Sequence, residues 1–302
     1  MFAPSFDYYR AGSLAEAGEL LRKHPGAKLL AGGHSLIPLL KLRLASPPVI
    51  VDIGRIGNLK GIKFRDYSDP MQMQRPDQPD RIRINALTTH AEIASSSVIQ
   101  EKCPALAEAA GLVGDPAVRN RGTIGGNVAH ADPASDLPTV LMALDAQFGI
   151  WRPDDRSGTI DAASFFTGIL ATALGEDDVL VAVGVPARPT GQGQAYVKFV
   201  HPASRYAVIG VAALLTVGGG KCTAASVAIG GLVPRPMRAT SVENALIGQK
   251  LSADAIARAA AEITRDLGPD ILGDLYASAE YRKAVAPVWV KRALTAAADR
   301  AK

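Results

Sequence analysis

Two glycine-rich segments dominate the interpretation of this sequence: Ala31-Gly32-Gly33-His34-Ser35-Leu36 and Arg121-Gly122-Thr123-Ile124-Gly125-Gly126-Asn127. Each places paired glycines beside a hydroxyl residue, Ser35 in the first and Thr123 in the second. Glycine tolerates positive φ angles and has no Cβ to hold a ligand away, so consecutive backbone N–H groups can converge on an anion. Both segments therefore predict turns that bind phosphate oxygens, with the two hydroxyls as further donors.

A glycine pair by itself more often marks a tight turn than a ligand site. Two such pairs, each following an apolar segment, favour a shared ligand. Neither matches the G-x-G-x-x-G dinucleotide fingerprint or the G-x-x-x-x-G-K-[ST] phosphate loop, and Gly219-Gly220-Lys221-Cys222 fails the latter in spacing and in its last residue. A Rossmann or P-loop site is therefore disfavoured.

Hydrolase and metal chemistry find little support in the sequence. Gly33-His34-Ser35 is not a G-x-S-x-G elbow, no H-E-x-x-H occurs, and the 5 histidines are scattered without ligand spacing. The 2 cysteines, Cys103 and Cys222, are far apart and match no metal-ligand pattern. We expect buried thiols rather than a disulfide framework or an iron–sulfur cluster.

Composition indicates a folded chain large enough for two or three compact units, with 302 residues, 48% of them hydrophobic and 21% charged. The net charge of +4 is spread along the chain, so we expect no nucleic-acid partner. The N-terminus lacks a basic region followed by an apolar stretch, and the longest apolar run, residues 207–217, is too short to span a bilayer. These features predict a cytoplasmic protein without a transmembrane segment.

The first half of the chain reads as two small α/β units. A capping-box pattern at Ser13 and Glu16 predicts a helix that ends at Pro25-Gly26, followed by strands at 28–30 and 49–52. A hairpin with strands at 61–64 and 81–86 follows, and its polar, proline-containing loop at 66–80 is predicted to be mobile and exposed.

Later elements follow from the same signals. A second capping-box pattern lies at Thr89 and Glu92, and we expect helices at 104–112 and 133–144, a strand at 146–151, further strands at 195–200, 208–217 and 224–229, and final helices at 253–267 and 284–298. The Pro- and Gly-rich segment 186–194 marks the main domain boundary. We therefore expect three parts: 1–57, 58–185 and 186–302.

Several further segments occur in the order in which they occur in a known family, and together with the two glycine segments they make the chain resemble that family. Ile37-Pro38, Lys41-Leu42-Arg43-Leu44, Ala131-Asp132-Pro133-Ala134-Ser135-Asp136 and Gly231-Leu232-Val233-Pro234-Arg235-Pro236 accompany the two glycine segments. Together they resemble the FAD-binding medium subunit of molybdenum hydroxylases of the carbon monoxide dehydrogenase type, and are also similar to the FAD domain of xanthine dehydrogenase. The resemblance covers nearly the whole chain.

The resemblance implies an α+β fold: a vanillyl-alcohol-oxidase-type FAD-binding domain made of two α/β subdomains, then a C-terminal α+β domain of the CO dehydrogenase flavoprotein type. It implies FAD in this chain, the molybdenum cofactor in a large partner subunit and two [2Fe–2S] clusters in a small one. The family commonly assembles as a dimer of heterotrimers. Flavin accepts electrons singly from clusters and passes on a pair, so this chain needs no catalytic acid or base of its own.

By the same resemblance, eighteen positions are expected to contact FAD. Residues 29–36 and 123–127 would surround the diphosphate, Asp136 would accept a hydrogen bond from a cofactor hydroxyl, Lys198 would lie near the pyrimidine edge of the flavin, and Tyr206 would stack on the isoalloxazine. The full set is Leu29, Leu30, Ala31, Gly32, Gly33, His34, Ser35, Leu36, Val113, Thr123, Ile124, Gly125, Gly126, Asn127, Asp136, Leu180, Lys198 and Tyr206. We predict that Gly33→Val and Gly125→Val abolish flavin retention and leave the fold largely intact.

Two alternatives remain beside the subunit interpretation: a stand-alone FAD oxidase, against which the chain length argues, and a non-catalytic module that binds a nucleotide. The loop at 66–80 contains no cysteine, which disfavours the 4-hydroxybenzoyl-CoA reductase branch with its [4Fe–4S] insertion. That loop is also long and Pro-rich for the family, and His34 is glutamine in some relatives. The sequence leaves open the substrate, whether CO, an aldehyde or an N-heterocycle, and the acceptor, whether quinone, NAD or oxygen.

Overall fold

The computed structural model describes residues 2–65, 80–153 and 157–301, so nearly all of the predicted loop at 66–80 lies outside the described residues. Helices and strands alternate along the first half, and a sheet followed by helices forms the second. In chain order the elements are β1 (Asp7–Arg10), α1 (Leu14–Lys23), β2 (Lys28–Leu30), α2 (Leu36–Lys41), β3 (Val49–Asp52), a 3-10 turn (Gly57–Leu59), β4 (Ile62–Phe64), β5 (Arg81–Asn85), α3 (His90–Ser95), α4 (Ser97–Lys102), α5 (Pro104–Leu112), α6 (Pro116–Arg119), α7 (Ile124–His130), α8 (Asp136–Ala143), β6 (Gln147–Trp151), β7 (Gly158–Asp161), α9 (Ala162–Phe165), β8 (Phe166–Gly168), β9 (Ala171–Thr172), β10 (Val179–Pro186), β11 (Gln192–Val200), β12 (Ala207–Gly218), β13 (Lys221–Gly230), β14 (Met237–Arg238), α10 (Thr240–Leu246), α11 (Ala253–Ala261), α12 (Ile263–Asp266) and α13 (Ala279–Arg300).

The first unit is a small parallel sheet in the order β1-β3-β2 with α1 packed against it. Ser13 caps α1 by accepting a hydrogen bond from Glu16 N at 3.1 Å, as the sequence pattern predicts. The α1 residues Ala17 and Leu21 belong to the same core cluster as Val51 of β3. This packing fixes the carboxyl end of β2, from which the first glycine segment leaves.

The second unit is an antiparallel sheet in the order β4-β5-β10-β6-β7, and its buried residues share one hydrophobic core with residues of α3, α4, α5, α7 and α8. In β5, Ile82 and Ile84 are fully buried while Arg81 and Arg83, which alternate with them, are half-buried, which is the two-residue period of a strand with one face in the core. The capping box at Thr89 and Glu92 is present in full, as predicted. It sets the first residue of α3 at the edge of the second glycine segment.

Strands β11 to β14 form an antiparallel sheet in sequence order, and helices α10 to α13 pack on one face. Helices α5 and α8 of the preceding unit pack on the other face, so β12 is buried from residue 207 to 215. Main-chain hydrogen bonds cross this junction, from Ala207 N to Ala134 O at 3.1 Å and from Gly231 N to Pro133 O at 2.9 Å. The chain therefore has an α+β fold.

Three predicted helices have different bounds. The helix predicted at 133–144 begins at Asp136, because the Asp132 side chain accepts from Ala134 N at 2.9 Å and holds a turn before it. The helix predicted at 253–267 is broken at Glu262 into α11 and α12. The last helix starts earlier than predicted, at Ala279, because Ser278 accepts from Tyr281 N at 3.2 Å and caps it. Across the ranges that the structure describes, no helix combines the length and the apolar character needed to cross a membrane.

Candidate functional site

A cleft of about 780 Å³ lies beside the two glycine segments. Its walls come from residues 21–53, 86–136, 170–180 and 204–206. This volume falls within the roughly 300–1,000 Å³ typical of cofactor and ligand sites. Fifteen of the eighteen predicted contact residues line it: Leu29, Ala31, Gly32, Gly33, His34, Ser35, Leu36, Val113, Thr123, Gly125, Gly126, Asn127, Asp136, Leu180 and Tyr206.

The other three predicted residues do not line the cleft. Leu30 is the last residue of β2, and its carbonyl accepts a hydrogen bond from Ile53 N at 3.1 Å. Ile124 is fully buried in the core beneath the second glycine segment. Lys198 is buried at the domain junction with its side chain 1% exposed.

The two glycine segments are in direct contact. A Cβ built on Gly32 would lie 2.0 Å from the carbonyl oxygen of Arg121 and 3.0 Å from the Cα of Gly122. A Cβ on Gly126 would lie 3.8 Å from the Cβ of Ala31. Only a glycine at position 32 allows this approach, so the paired glycines bring both turns to one wall of the cleft.

The first segment leaves β2 as a turn and enters α2. Gly33 has φ of +76°, the left-handed region that other residues rarely adopt. No described residue accepts a hydrogen bond from the backbone N–H of Gly33, His34 or Ser35. All three residues line the cleft. Three neighbouring N–H groups are therefore available to an anionic ligand at this wall.

The second segment forms the start of α7. The Thr123 hydroxyl accepts from Gly126 N at 3.2 Å and so caps the helix, which is a structural role in addition to the predicted one. Gly125 N donates to Ala86 O at 2.8 Å, and a Cβ on Gly125 would lie 2.5 Å from the Ala86 Cβ. The glycine at 125 thus serves the packing of α7 against the chain after β5, whereas Gly126 is exposed.

Asn127 presents an unpaired acceptor at the cleft. Its Nδ2 donates to Ser135 Oγ at 3.0 Å, which orients the amide. Its Oδ1 is buried and has no hydrogen-bond partner among the residues that the structure describes. A buried carbonyl oxygen without a partner costs about 1–3 kcal/mol, so this atom fits a ligand that donates a hydrogen bond.

Asp136 lies at the floor of the cleft, 5% exposed. Its two carboxylate oxygens accept from Tyr196 Oη at 2.7 Å and from Lys198 Nζ at 2.8 Å. Burial raises the pKa of Asp136, and the neighbouring Lys198 and Tyr196 act in the opposite direction. Lys198 is bonded to Asp136 and does not line the cleft, and its position at the flavin edge stays a prediction.

Tyr206 stands at the rim of the cleft and is 41% exposed. Burial and the charges of Asp132 and Asp136 raise the pKa of Tyr206, so the hydroxyl stays protonated. The preceding Arg205 has φ of +61° and donates from Nε to Gly114 O at 3.1 Å. This contact holds the rim segment against the loop after α5, with the Tyr206 ring available to a planar ligand.

His90 is a cleft residue that sequence reasoning missed. It is 3% exposed, and its Nδ1 is buried with no partner among the described residues. Burial and then the nearby His34 lower the pKa of His90 to about 4, so the ring is neutral near pH 7. A Cβ on Gly122 would lie 2.8 Å from His90 Cδ2, so the glycine at 122 makes room for this ring. The capping box at Thr89 marks the start of α3 but carries no signal for the inward direction of the next side chain.

Two family models together match nearly the whole chain. The FAD binding domain in molybdopterin dehydrogenase matches residues 4–188, and the CO dehydrogenase flavoprotein C-terminal domain matches residues 194–297. The chain therefore belongs to the FAD-binding subunits of the molybdenum hydroxylases, an oxidoreductase family that includes carbon monoxide dehydrogenase and xanthine dehydrogenase.

Individual relatives agree with this family. The carbon monoxide dehydrogenase medium chain of Hydrogenophaga pseudoflava is 37% identical over 298 residues, covering 98% of both chains. The glyceraldehyde dehydrogenase medium chain of Sulfolobus acidocaldarius is 35% identical over 293 residues, covering 97% of this chain and 98% of the relative. A solved structure of carbon monoxide dehydrogenase from Hydrogenophaga pseudoflava that lacks the Mo-pyranopterin moiety superposes with a TM-score of 0.91, at 38% identity and 100% coverage of both chains.

Proposed function

We propose that this chain holds FAD in the cleft and transfers electrons within a heterotrimeric molybdenum hydroxylase. Electrons would arrive from the [2Fe–2S] clusters of a small subunit and leave to an external acceptor, and a large subunit would carry the molybdenum cofactor. When bound, FAD supplies the ability to accept single electrons and release a pair. The residues of this chain bind and orient the cofactor.

The observation that supports this most directly is the contact between the two glycine segments. It brings the first segment, whose N–H groups at residues 33–35 have no acceptor among the described residues, against the second segment at one wall of a cleft of about 780 Å³. A diphosphate carries two negative charges, and neighbouring N–H groups offset such charge without any basic side chain. We therefore assign residues 32–36 and 123–127 to the diphosphate of FAD.

The other cleft residues are suited to the remaining parts of the cofactor. The unpaired Oδ1 of Asn127 and the remaining lone pairs of Asp136 can accept hydrogen bonds from ribityl or ribose hydroxyls. The ring of Tyr206 can stack on the isoalloxazine at the rim. In this assignment Leu30, Ile124 and Lys198 support the site from behind its walls.

The domain division predicted from the sequence becomes part of this proposal. Residues 1–57 and 58–185 would form the two FAD-binding subdomains, and 186–302 would form the C-terminal domain that covers the cofactor. The cleft draws residues from all three parts, which supports binding between them. The dimer of heterotrimers and the cytoplasmic location stay predictions.

The substrate of the complex is not decided by this chain. A carbon monoxide dehydrogenase medium chain and a glyceraldehyde dehydrogenase medium chain match it at 37% and 35% identity, over nearly equal lengths. The substrate would bind at the molybdenum centre of the large subunit, so specificity lies in that partner. We propose CO, an aldehyde or an N-heterocycle as the substrate class, to be read from the large subunit that co-purifies with this chain.

Absorption spectroscopy of the purified chain tests the FAD assignment. We expect the bands of oxidised flavin, one FAD released per chain on denaturation, and competition by ADP, which shares the diphosphate. A colourless protein that neither binds added FAD nor responds to ADP would contradict it. A stand-alone oxidase, the second candidate, would reduce its flavin with substrate in the absence of any partner subunit.

A further inference from the structure

Two side chains of β11 reach from the C-terminal domain to Asp136, which lines the cleft. Tyr196 and Lys198 are two residues apart and so share one face of the strand. Tyr196 Oη donates to Asp136 Oδ1 at 2.7 Å, and Lys198 Nζ donates to Asp136 Oδ2 at 2.8 Å. One carboxylate in α8 thus receives a hydrogen bond on each oxygen from the other side of the domain junction.

The surrounding backbone is shaped to hold this arrangement. A Cβ on Gly210, in the neighbouring strand β12, would lie 2.5 Å from the Tyr196 hydroxyl, so glycine there makes room for the phenol. Tyr196 N donates to Glu108 Oε2 at 2.9 Å, which fixes the strand against α5. Lys198 Nζ also donates to Leu112 O at 3.1 Å, at the carboxyl end of α5, where the helix dipole favours a cation.

The three side chains differ in their access to the cleft. Asp136 lines it, whereas Tyr196 and Lys198 do not. The exposed fractions of the Asp136 and Lys198 side chains are 6% and 1%, so this ion pair is shielded from solvent. Burial raises the pKa of Tyr196 well above its usual value, and the Asp136 charge raises it further, so the phenol remains a donor. Burial raises the pKa of Asp136, while Lys198, Tyr196 and Arg205 act in the opposite direction and favour the ionised carboxylate with which Lys198 pairs.

We propose that Tyr196 and Lys198 are positioning residues that keep the Asp136 carboxylate ionised and oriented toward FAD without touching the cofactor themselves. The inference rests on the proposed function, because it needs FAD in the cleft. A carboxylate offers about four lone-pair directions, and two are taken here, which leaves the others for a cofactor hydroxyl. Retention of FAD then depends on correct docking of β11, and so of the C-terminal domain.

The Tyr196→Phe variant tests this with the smallest change, because it removes the hydroxyl and keeps the ring. We expect the Kd for FAD of the deflavinated full chain to rise about fivefold to tenfold, which is less than the effect of losing a hydrogen bond to a charged group directly, because the lost bond orients Asp136 and does not itself bind FAD. The matched control is Tyr8→Phe, which removes another tyrosine–carboxylate hydrogen bond, to Asp52 Oδ2 at 2.5 Å, at residues that do not line the cleft. That variant should bind FAD as the wild type does.

A double-mutant cycle separates positioning from a general loss of structure. The background Asp136→Ala/Lys198→Met removes both charges together, which avoids leaving one buried and unpaired. In this background Tyr196→Phe has no carboxylate to orient, so its effect on the Kd for FAD should fall below about twofold. Lys198→Arg keeps the positive charge, so its Kd for FAD should be closer to that of the wild type than the Kd of Lys198→Met is.

Outcomes for the inference and for the proposed function are distinct. If the wild type and Tyr8→Phe bind no FAD, the proposed function is wrong. If they bind FAD and Tyr196→Phe binds equally well, or if its effect is undiminished in the Asp136→Ala/Lys198→Met background, the positioning role is wrong. Melting temperatures of the apo proteins show whether each variant is folded. If the charge variants unfold, the comparison of Tyr196→Phe with the wild type and Tyr8→Phe still tests the positioning role.

Discussion

Gly126→Ala introduces one methyl group into the wall assigned to the diphosphate. A Cβ at this position lies 3.0 Å from Thr123 Oγ1 and 3.8 Å from the Ala31 Cβ, with no other neighbour within 4 Å. Gly126 is exposed and lies in the first turn of α7, where alanine is favoured over glycine by about 0.5–1 kcal/mol. The close Thr123 contact offsets part of that gain, so the apo protein should melt within a few degrees of the wild type.

The effect on FAD should be much larger than the effect on the fold. A methyl group between the helix and a phosphate displaces the phosphate by about 1 Å or more, which breaks hydrogen bonds to a charged group worth about 1.5–3 kcal/mol each. Loss of two such bonds predicts a Kd for FAD at least about 100-fold higher. Titration of the deflavinated chain, followed by flavin fluorescence, measures this directly.

The control for this prediction is Gly57→Ala, which adds a methyl group with no neighbour within 4 Å at a residue that does not line the cleft. It should leave the Kd for FAD unchanged. Wild-type affinity in Gly126→Ala, with apo stability also unchanged, would refute the assignment of this wall to the diphosphate.

Three further predictions follow from the cleft. Gly125→Val should destabilise the apo fold by about 3 kcal/mol, because its Cβ would lie 2.5 Å from the Ala86 Cβ, and chemical denaturation should show this loss even without FAD. Asn127→Ala should weaken FAD binding about tenfold, because it removes the acceptor Oδ1 that faces the ligand. It should change the stability of the apo protein by less than about 1 kcal/mol, because the lost hydrogen bond to Ser135 is offset by removal of a buried, unpaired oxygen. Unchanged affinity in an FAD titration would contradict this prediction. The pKa of His90 is about 4 in the folded chain and 6.5 in the unfolded chain, so the unfolded state takes up the proton first as the pH falls. Between pH 7 and pH 5 the unfolding free energy of the wild type should therefore fall by about 2 kcal/mol relative to that of His90→Gln. Parallel pH profiles of stability for the two proteins would refute this.

The sequence carries the local signals of the site well. Ser13 and Thr89 each accept a hydrogen bond from the backbone N–H three residues later, so the signal for the cap lies within a short stretch of sequence. Both predicted helix starts are confirmed. The two glycine segments are recognisable for the same reason. The prediction that they come together is confirmed by the contact between Gly32 and the Arg121 carbonyl.

Contacts between distant residues explain what the sequence does not reveal. The expectation that Gly125→Val leaves the fold intact is not supported, because its neighbour Ala86 comes from another strand end. The direction of Lys198 depends on Asp136, 62 positions earlier, and no local pattern encodes it. Strand β1, Asp7–Arg10, is exposed along its length and so lacks the alternation by which strands are recognised.

An experimental structure of the chain with FAD is the most direct measurement of where the diphosphate lies. We expect its oxygens within about 3.2 Å of the backbone nitrogens of Gly33, His34 or Ser35, with Gly126 in van der Waals contact. Clear density for FAD whose diphosphate is bound elsewhere, with both glycine turns in contact only with each other, would contradict the binding site described here.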